Sequence, residues 1–181
     1  MRSTTVSSDT GMDGFPSLAA RSQGKWSWGR PVPPEHPAPL SGLNAMPSPQ
    51  DIVTTARPGR SVVGWKLDRG QRAELLARIE PAYANVVADH VTLVARLAGD
   101  TPLPDDVSAR IVGHVDDGRG VEAVVVAVDG ETARPGGGTY HVTWSLGPGR
   151  RAKESNDVLA SARWRPLGEP IPLDLTPARW P

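Results

Sequence analysis

Hydrophobic residues are distributed unevenly along this chain of 181 residues. Before Arg60 the sequence runs through Pro, Gly, Ser and Thr, with little hydrophobic periodicity. Such a composition cannot bury enough apolar surface to offset the entropy lost when a backbone is ordered. We therefore predict that residues 1–59 form a disordered Pro/Ser/Gly-rich tail and that one folded domain occupies residues 60–181.

From Ser61 onward, short runs of β-branched and apolar residues alternate with turn-forming segments. Such runs are typical of strands, which we predict at about 62–67, 85–96, 109–115, 121–128, 139–146 and 171–175. The runs at 109–115 and 121–128 flank an Asp-Asp-Gly-Arg-Gly segment and predict a hairpin. The second strand of this hairpin is apolar enough to be buried on both faces.

Two stretches favour helices instead. Asp68 is a candidate N-cap for the first helix, which Pro81 ends. Ser155 or Asn156 can cap the second helix, which continues through Ala162. Together the elements predict an α+β domain of mainly antiparallel strands with two helices.

Composition excludes several kinds of site. The chain has no cysteine, which rules out disulfides, thiolate metal sites and cysteine nucleophiles. It also lacks the His-Glu-x-x-His pattern of many zinc enzymes, and its 4 histidines are scattered. We predict neither a metal nor a cofactor.

Charge and hydropathy restrict the partners. The 20 basic and 20 acidic residues balance, which argues against a protein that coats nucleic acid through bulk electrostatics. A small RNA end or a nucleotide is still compatible with this balance. The first residues lack the apolar core of a secretory signal, and no stretch of about 18 apolar residues occurs. We expect a soluble, cytoplasmic protein without a membrane partner.

One four-residue pattern occurs twice, each time in a strand-like run. The two copies are His90-Val91-Thr92-Leu93 and His141-Val142-Thr143-Trp144. Residues i and i+2 of a strand share a face, so each strand presents an imidazole and a hydroxyl to the same side. Two such strands facing each other would surround a small anion, which predicts a phosphate-sized site.

Two loops next to the second copy could also contribute. Arg150, Arg151 and Lys153 follow it directly and could neutralise an anion, or could merely solvate the loop. The glycines at 136–138 precede it and could admit a substrate closely, or could act only as a connector.

With these residues the chain resembles the two-histidine (2H) phosphoesterase superfamily, whose members carry one His-x-Thr-x tetrad in each of two β-rich lobes flanking a cleft. The segment Lys153-Glu154-Ser155-Asn156 is similar to the one that follows the second tetrad in the cyclic phosphodiesterase domain of fungal-type tRNA ligases. The resemblance covers roughly residues 61–175 and implies a compact bilobal 2H-phosphoesterase-like fold.

The resemblance implies a metal-independent hydrolase that opens a ribose 2′,3′-cyclic phosphate, on an RNA end or a nucleotide, to a monophosphate. The expected product is the 2′-phosphate, and the expected setting is RNA repair or processing. His90 and His141 would exchange protons with the substrate, since imidazole titrates near neutrality. The order of the family's histidines suggests His90 as the base and His141 as the acid, although the residues alone leave this open.

The resemblance also implies roles for the polar residues near the tetrads. Thr92 and Thr143 would hydrogen-bond the non-bridging phosphate oxygens. Lys153, Arg150 and Arg151 are candidates for neutralising the phosphate. The remaining phosphate-binding candidates are Ser155 and Asn156, at a helix N-terminus. Trp144 is predicted to pack in the core rather than to stack on a substrate.

Three alternatives remain open at this point. The same fold could bind an RNA end or nucleotide without turnover. It could act on 2′–5′ phosphodiester linkages or on cyclic nucleotides. Finally, the two motifs could coincide by accident in a structural β-domain, in which case the histidines would lie far apart or on opposite faces.

Overall fold

The structure, a computed structural model, describes residues 47–181. The helices of this part of the chain are α1 (Pro49–Thr55), α2 (Arg69–Arg78) and α3 (Ser155–Ser161), the last preceded by a 3-10 turn at Ala152–Glu154. The strands are β1 (Pro58–Leu67), β2 (Asn85–Val86), β3 (His90–Leu97), β4 (Ala109–Asp116), β5 (Val121–Val128), β6 (His141–Leu146), β7 (Arg165–Leu173) and β8 (Leu175–Trp180). Residues 1–46, and with them most of the predicted tail, lie outside the described residues.

The strands form two antiparallel sheets, so the domain is α+β, as the sequence predicts. One sheet has three strands in the order β3-β1-β8, and the other has five in the order β2-β6-β5-β4-β7. The predicted hairpin is confirmed, since β4 and β5 pair from Ala109 opposite Val128 to Asp116 opposite Glu122. The tetrad strands β3 and β6 therefore belong to different sheets.

The two sheets share one hydrophobic core. Trp65 of β1 and Trp144 of β6 are its largest fully buried side chains, which confirms the predicted position of Trp144. Both indole N–H groups donate to backbone carbonyls at 2.9 Å, one to Asp105 and the other to Ile79. Neither buried indole N–H is therefore left without an acceptor.

Strand β5 is buried on both faces, as its apolar sequence predicts. Val124 and Val126 point into the core between the sheets. Val121 and Ala123 belong to a second, smaller cluster, in which Val158 of α3 covers the other face of the sheet. Helix α3 is therefore held against the sheet that carries the second tetrad.

Helix α1 corrects the predicted boundary of the tail, because residues 49–55 are helical and β1 begins at Pro58. Ser48 and Asp51 form a reciprocal capping box, and Ile52 is completely buried in the main core. The buried Ile52 and the cap at Ser48 are sufficient to form this short helix, because the rest of the domain supplies the surface against which it packs. Helix α2 matches its prediction, with Asp68 accepting from Gln71 N–H at 2.8 Å. None of the helices within residues 47–181 is long and apolar enough to cross a membrane.

The C-terminal region is also more ordered than predicted. Instead of one short strand at 171–175, the chain forms β7 and β8. Both lie at sheet edges, where proline is tolerated because one row of N–H groups has no ladder partner. Prolines such as Pro166, Pro172 and Pro177 weakened the sequence signal for strands without preventing the pairing.

The strand predicted over 85–96 is in fact two strands in two sheets. Residues 85–88 pair with β6, and Ala88 N–H donates to the carbonyl of Thr143 at 3.0 Å. Ala88 then adopts a left-handed φ of 40°, and the chain leaves this sheet to pair with β1 from His90 onward. Because the crossover occurs beside Thr143, it brings the first tetrad next to the second.

Candidate functional site

Both tetrads line the same cavity, whose volume is about 460 Å³. His90 and Thr92 enter it from β3, and His141 and Thr143 enter it from β6. The structure therefore brings together the four residues that the sequence singles out. The alternative of a structural β-domain predicts histidines that lie far apart or on opposite faces, and this placement is wrong.

His141 is the more buried of the two histidines, with 8% of its surface exposed. Its Nδ1 lies 2.8 Å from the carbonyl oxygen of Thr139. A carbonyl oxygen only accepts, so Nδ1 carries the hydrogen and Nε2 presents its lone pair to the cavity. Burial lowers the pKa of His141 below its usual 6.5; the bond to Thr139 opposes this shift, and the charges of Arg134 and His90 add to it.

His90 has a different environment, since a carboxylate lies beside it. Its Nδ1 is 2.9 Å from Asp89 Oδ2, and the same oxygen accepts a hydrogen bond from Lys66. Burial tends to raise the pKa of Asp89, but the bonds from Lys66 and His90 outweigh burial and lower it. A charged Asp89 can balance a proton on His90, whereas His141 has no carboxylate partner among the described residues.

The ring of His90 also packs against an aromatic side chain. The Trp180 ring centroid lies 4.5 Å from that of His90, with the planes tilted by 48°. Lys66 Nζ lies 4.9 Å from the same indole centroid, in cation–π geometry. Trp180 comes from β8, the strand that pairs with β1, so the C-terminal strand forms part of the cavity wall.

The hydroxyl of Thr143 is held by the segment that follows its strand. Its Oγ1 lies 2.9 Å from Ser155 Oγ and donates to the carbonyl of Ala152 at 3.2 Å. Ser155 is completely buried and does not line the cavity, which places it behind Thr143 rather than against a ligand. The predicted capping role of Ser155 is also wrong, because the N-cap of α3 is Glu154 and no side chain caps the helix.

Two of the predicted phosphate-binding cations do not reach the cavity. Arg150 donates to Glu154 at 2.6 Å and to Asp117 at 3.1 Å, which ties its loop to the turn between β4 and β5. Arg151 is exposed and lies 3.8 Å from Glu154. Neither arginine lines the cavity, so for both the alternative of a charged loop without a phosphate-binding role is favoured. Lys153, in contrast, does line the cavity.

Asn156 and Arg134 complete the polar wall. Arg134 donates from Nη2 to Asn156 Oδ1 at 2.9 Å and from Nε to the Gly137 carbonyl at 3.1 Å. Asn156 in turn donates to the carbonyl of Lys153 at 3.0 Å. Gly138 permits this arrangement, because a Cβ there would lie 2.6 Å from Arg134 Nη2 and its φ is 82°. The loop at 134–138 thus contributes a cation to the site.

Sequence reasoning missed three residues of the site: Asp89, Arg134 and Trp180. Asp89 directly precedes the first tetrad, and Arg134 directly precedes the Pro-Gly-Gly-Gly loop, so adjacency to a motif was an available signal for both. Trp180 had no such signal, because its place at the cavity depends on the pairing of β8 with β1. Tyr140 and Trp144, the aromatic residues nearest the tetrads in sequence, are both buried in the core.

Within residues 47–181, no group of three or more His, Asp or Glu side chains is placed to hold a metal ion. No family model matches this chain, and neither the curated proteins nor the solved structures include a significant match. The functional argument therefore rests on the geometry of the cavity.

Replacing Arg134 by glutamine is expected to raise the pKa of His141, because one of the positive charges that lowers it is removed. NMR titration of the His141 ring protons measures this pKa directly. As the pH falls below 6.5, His141 is protonated in the unfolded chain before it is protonated in the folded one. The free energy of unfolding of the wild type therefore decreases between pH 6.5 and the lower pKa of His141 in the folded protein. The exposed Arg151→Gln is the matched control, and an equal pKa in wild type and Arg134→Gln would contradict the expectation.

Proposed function

We propose that this protein is a phosphodiesterase that hydrolyses ribose 2′,3′-cyclic phosphates to 2′-monophosphates, acting on RNA ends or nucleotides in RNA repair or processing. The observation that carries the proposal is the meeting of both His-x-Thr tetrads in one cavity. Two imidazoles and two hydroxyls around a small polar cavity supply the groups that proton transfer at a phosphate ester needs. This arrangement supports membership of the 2H phosphoesterase superfamily, suggested by the tetrads themselves.

The electrostatics of the two rings favour definite roles. His141 favours its neutral form, because burial and the charges of Arg134 and His90 lower its pKa. Its Nε2 is then free to take a proton from water. His90 has Asp89 at 2.9 Å to balance a positive charge, so it is suited to hold a proton for the leaving group. This assignment is the reverse of the one that the family's order of histidines suggests.

In the proposed step, water attacks phosphorus while His141 Nε2 accepts its proton. The bond between phosphorus and O3′ breaks, and His90 gives its proton to O3′. The products are a 3′-hydroxyl and a 2′-phosphate. Afterwards His141 is protonated and His90 is neutral, so proton exchange with solvent restores the starting state.

The remaining wall of the cavity supports the binding of a phosphate. Lys153, Arg134 and the amide of Asn156 line it and provide positive charge and N–H donors. Thr143 can donate to a phosphate oxygen by giving up its 3.2 Å bond to Ala152, while Ser155 keeps its Oγ1 in place. Thr92 lines the same cavity from the opposite strand.

The test is hydrolysis of a nucleoside 2′,3′-cyclic phosphate by the full chain in the presence of EDTA. We expect turnover that EDTA does not reduce, with the 2′-phosphomonoester as product. A 3′,5′-cyclic nucleotide and a 2′–5′-linked dinucleotide are assayed in parallel, because either could fit the same pair of histidines. Binding of the 2′,3′-cyclic phosphate without its hydrolysis would replace the enzyme by a binding module of the same fold.

A further inference from the structure

A second cavity is lined in part by Asp89, the carboxylate that contacts His90. Its volume is about 430 Å³. We call it the basic groove, and it is lined by Lys66, Leu67, Arg69, Arg72, Val87 and Asp89. Three of these six side chains are cationic and one is anionic, so the groove carries a surplus of positive charge.

The groove is directly linked to the catalytic pair. Lys66, which lines the groove, and His90, which lines the tetrad cavity, both donate to the same oxygen of Asp89. Lys66 also contacts Trp180, which lines the tetrad cavity. The linings of the two cavities therefore belong to one cluster of contacting side chains.

The charges of the groove are largely uncompensated. No acidic side chain within residues 47–181 forms a salt bridge with Arg69 or Arg72. Arg72 is half-buried and donates to the carbonyls of Ala88 at 2.8 Å and Val87 at 3.2 Å. These carbonyls hold the guanidinium in position, but they carry no net charge and do not neutralise it. An anion in the groove would meet a guanidinium that is already fixed.

The stability of α2 does not account for these arginines. Arg69 and Arg72 lie in its first turn, where the positive end of the helix dipole disfavours cations and where no acidic residue occurs. Arg78, in contrast, lies in the last turn, where a cation is favourable. Neither arginine therefore stabilises α2 through its dipole, and both charges face the groove, where an anion could bind them.

We propose that the basic groove binds a backbone phosphate of the RNA strand that carries the cyclic end, so that an oligonucleotide is a better substrate than a free nucleotide. This inference rests on the proposed function for the identity of the strand's end. A balanced overall charge is compatible with it, because the positive charge is concentrated in the groove.

The experiment compares an RNA oligonucleotide ending in a 2′,3′-cyclic phosphate with a nucleoside 2′,3′-cyclic phosphate. The variant is Arg69→Gln, since Lys66 touches Asp89 and Arg72 supports the backbone of the crossover. We expect the ratio of kcat/KM for the oligonucleotide to kcat/KM for the nucleotide to fall about fivefold, the effect of losing one exposed charge contact. The matched control is Arg78→Gln, at the far end of the same helix, whose ratio should equal that of wild type.

A binding arm separates failure of this inference from failure of the proposed function. Equilibrium binding of an RNA oligonucleotide with a 3′-phosphate is measured against salt concentration, and losing one phosphate contact should make the log–log slope shallower by about 0.7. If wild type hydrolyses neither substrate, weaker binding and a shallower slope in Arg69→Gln alone still support the groove. Binding of RNA by the groove is overturned if wild type and Arg69→Gln have equal kcat/KM ratios, affinities and slopes, or if Arg78→Gln shows the same loss as Arg69→Gln. Normal hydrolysis of the nucleotide would still support the proposed function in that case.

Discussion

Replacing either His90 or His141 by glutamine is expected to reduce kcat for hydrolysis of a ribose 2′,3′-cyclic phosphate by about 10²- to 10⁴-fold. Each substitution removes one positioned proton donor or acceptor, and general acid–base catalysis contributes a factor of that size. Glutamine keeps a polar side chain of similar reach but cannot exchange a proton near neutral pH. The measurement is steady-state kinetics of both variants, with folding checked by circular dichroism.

The matched control is His114→Gln. His114 is the third histidine of the described region, and it also lies on a strand, where its Nε2 is 2.8 Å from Glu122 Oε1. It lies outside the tetrad cavity, and a glutamine amide can still donate to Glu122, so the kcat of the folded variant should stay within about twofold of wild type. Equal losses in all three variants, or no loss in either tetrad variant, would refute catalysis by the tetrads.

The pH profile of the same two variants distinguishes the roles of the rings. If His141 is the base, its protonation limits kcat/KM at acid pH, and this limb should lie below pH 6.5 because the pKa of His141 is lowered. His141→Gln should then abolish the acid limb, whereas His90→Gln should keep it. The opposite pattern would restore the assignment suggested by the family's order.

Replacing Glu122 by alanine is expected to lower the free energy of unfolding by about 3–5 kcal/mol, because three donors lose their acceptor at about 1–3 kcal/mol each. Glu122 has 1% of its surface exposed, and its carboxylate accepts from His114, from Ser145 Oγ and from Ala82 N–H. The backbone N–H of Tyr83 donates to the same Ser145 hydroxyl at 3.0 Å. Loss of the carboxylate thus leaves several buried donors without their acceptor and releases the segment that precedes β2.

Urea unfolding at neutral pH measures this loss, and the exposed Glu169→Ala serves as the control, with a change within about 0.5 kcal/mol. Burial tends to raise the pKa of Glu122, but the bonds from His114, Ser145 and Ala82 outweigh burial and lower it below 4.5. The stabilisation is therefore complete above pH 4.5 and is lost as the pH falls through the folded pKa. A stability of Glu122→Ala equal to that of Glu169→Ala would show that this network does not stabilise the fold.

Local sequence patterns were sufficient to predict the secondary structure wherever a segment's own residues determine its conformation. The β4–β5 hairpin follows from two β-branched runs around a turn-forming segment, and α2 follows from the cap at Asp68 and the stop at Pro81. The patterns were insufficient where the conformation of a segment depends on packing or pairing with distant parts of the chain. Helix α1 depends on the burial of Ile52 by the rest of the domain, and β8 depends on β1 as a partner.

For the candidate site, the sequence by itself determined the two pairs, His90 with Thr92 and His141 with Thr143, because the two-residue period of a strand places each pair on one face. It also indicated Lys153 and Asn156, which follow the second tetrad closely. It could not separate these from Arg150 and Arg151, since neighbours in a loop can point in different directions.

Only the tertiary structure decided that the two pairs meet. The chain changes sheets at Ala88, and this crossover places β3 beside β6. The same structure added Arg134 and Trp180 to the cavity wall, placed Asp89 beside His90 and turned Ser155 into a support for Thr143. The physical reason is that side-chain direction along one strand is a local property, whereas the distance between two strands depends on which partners each one pairs with.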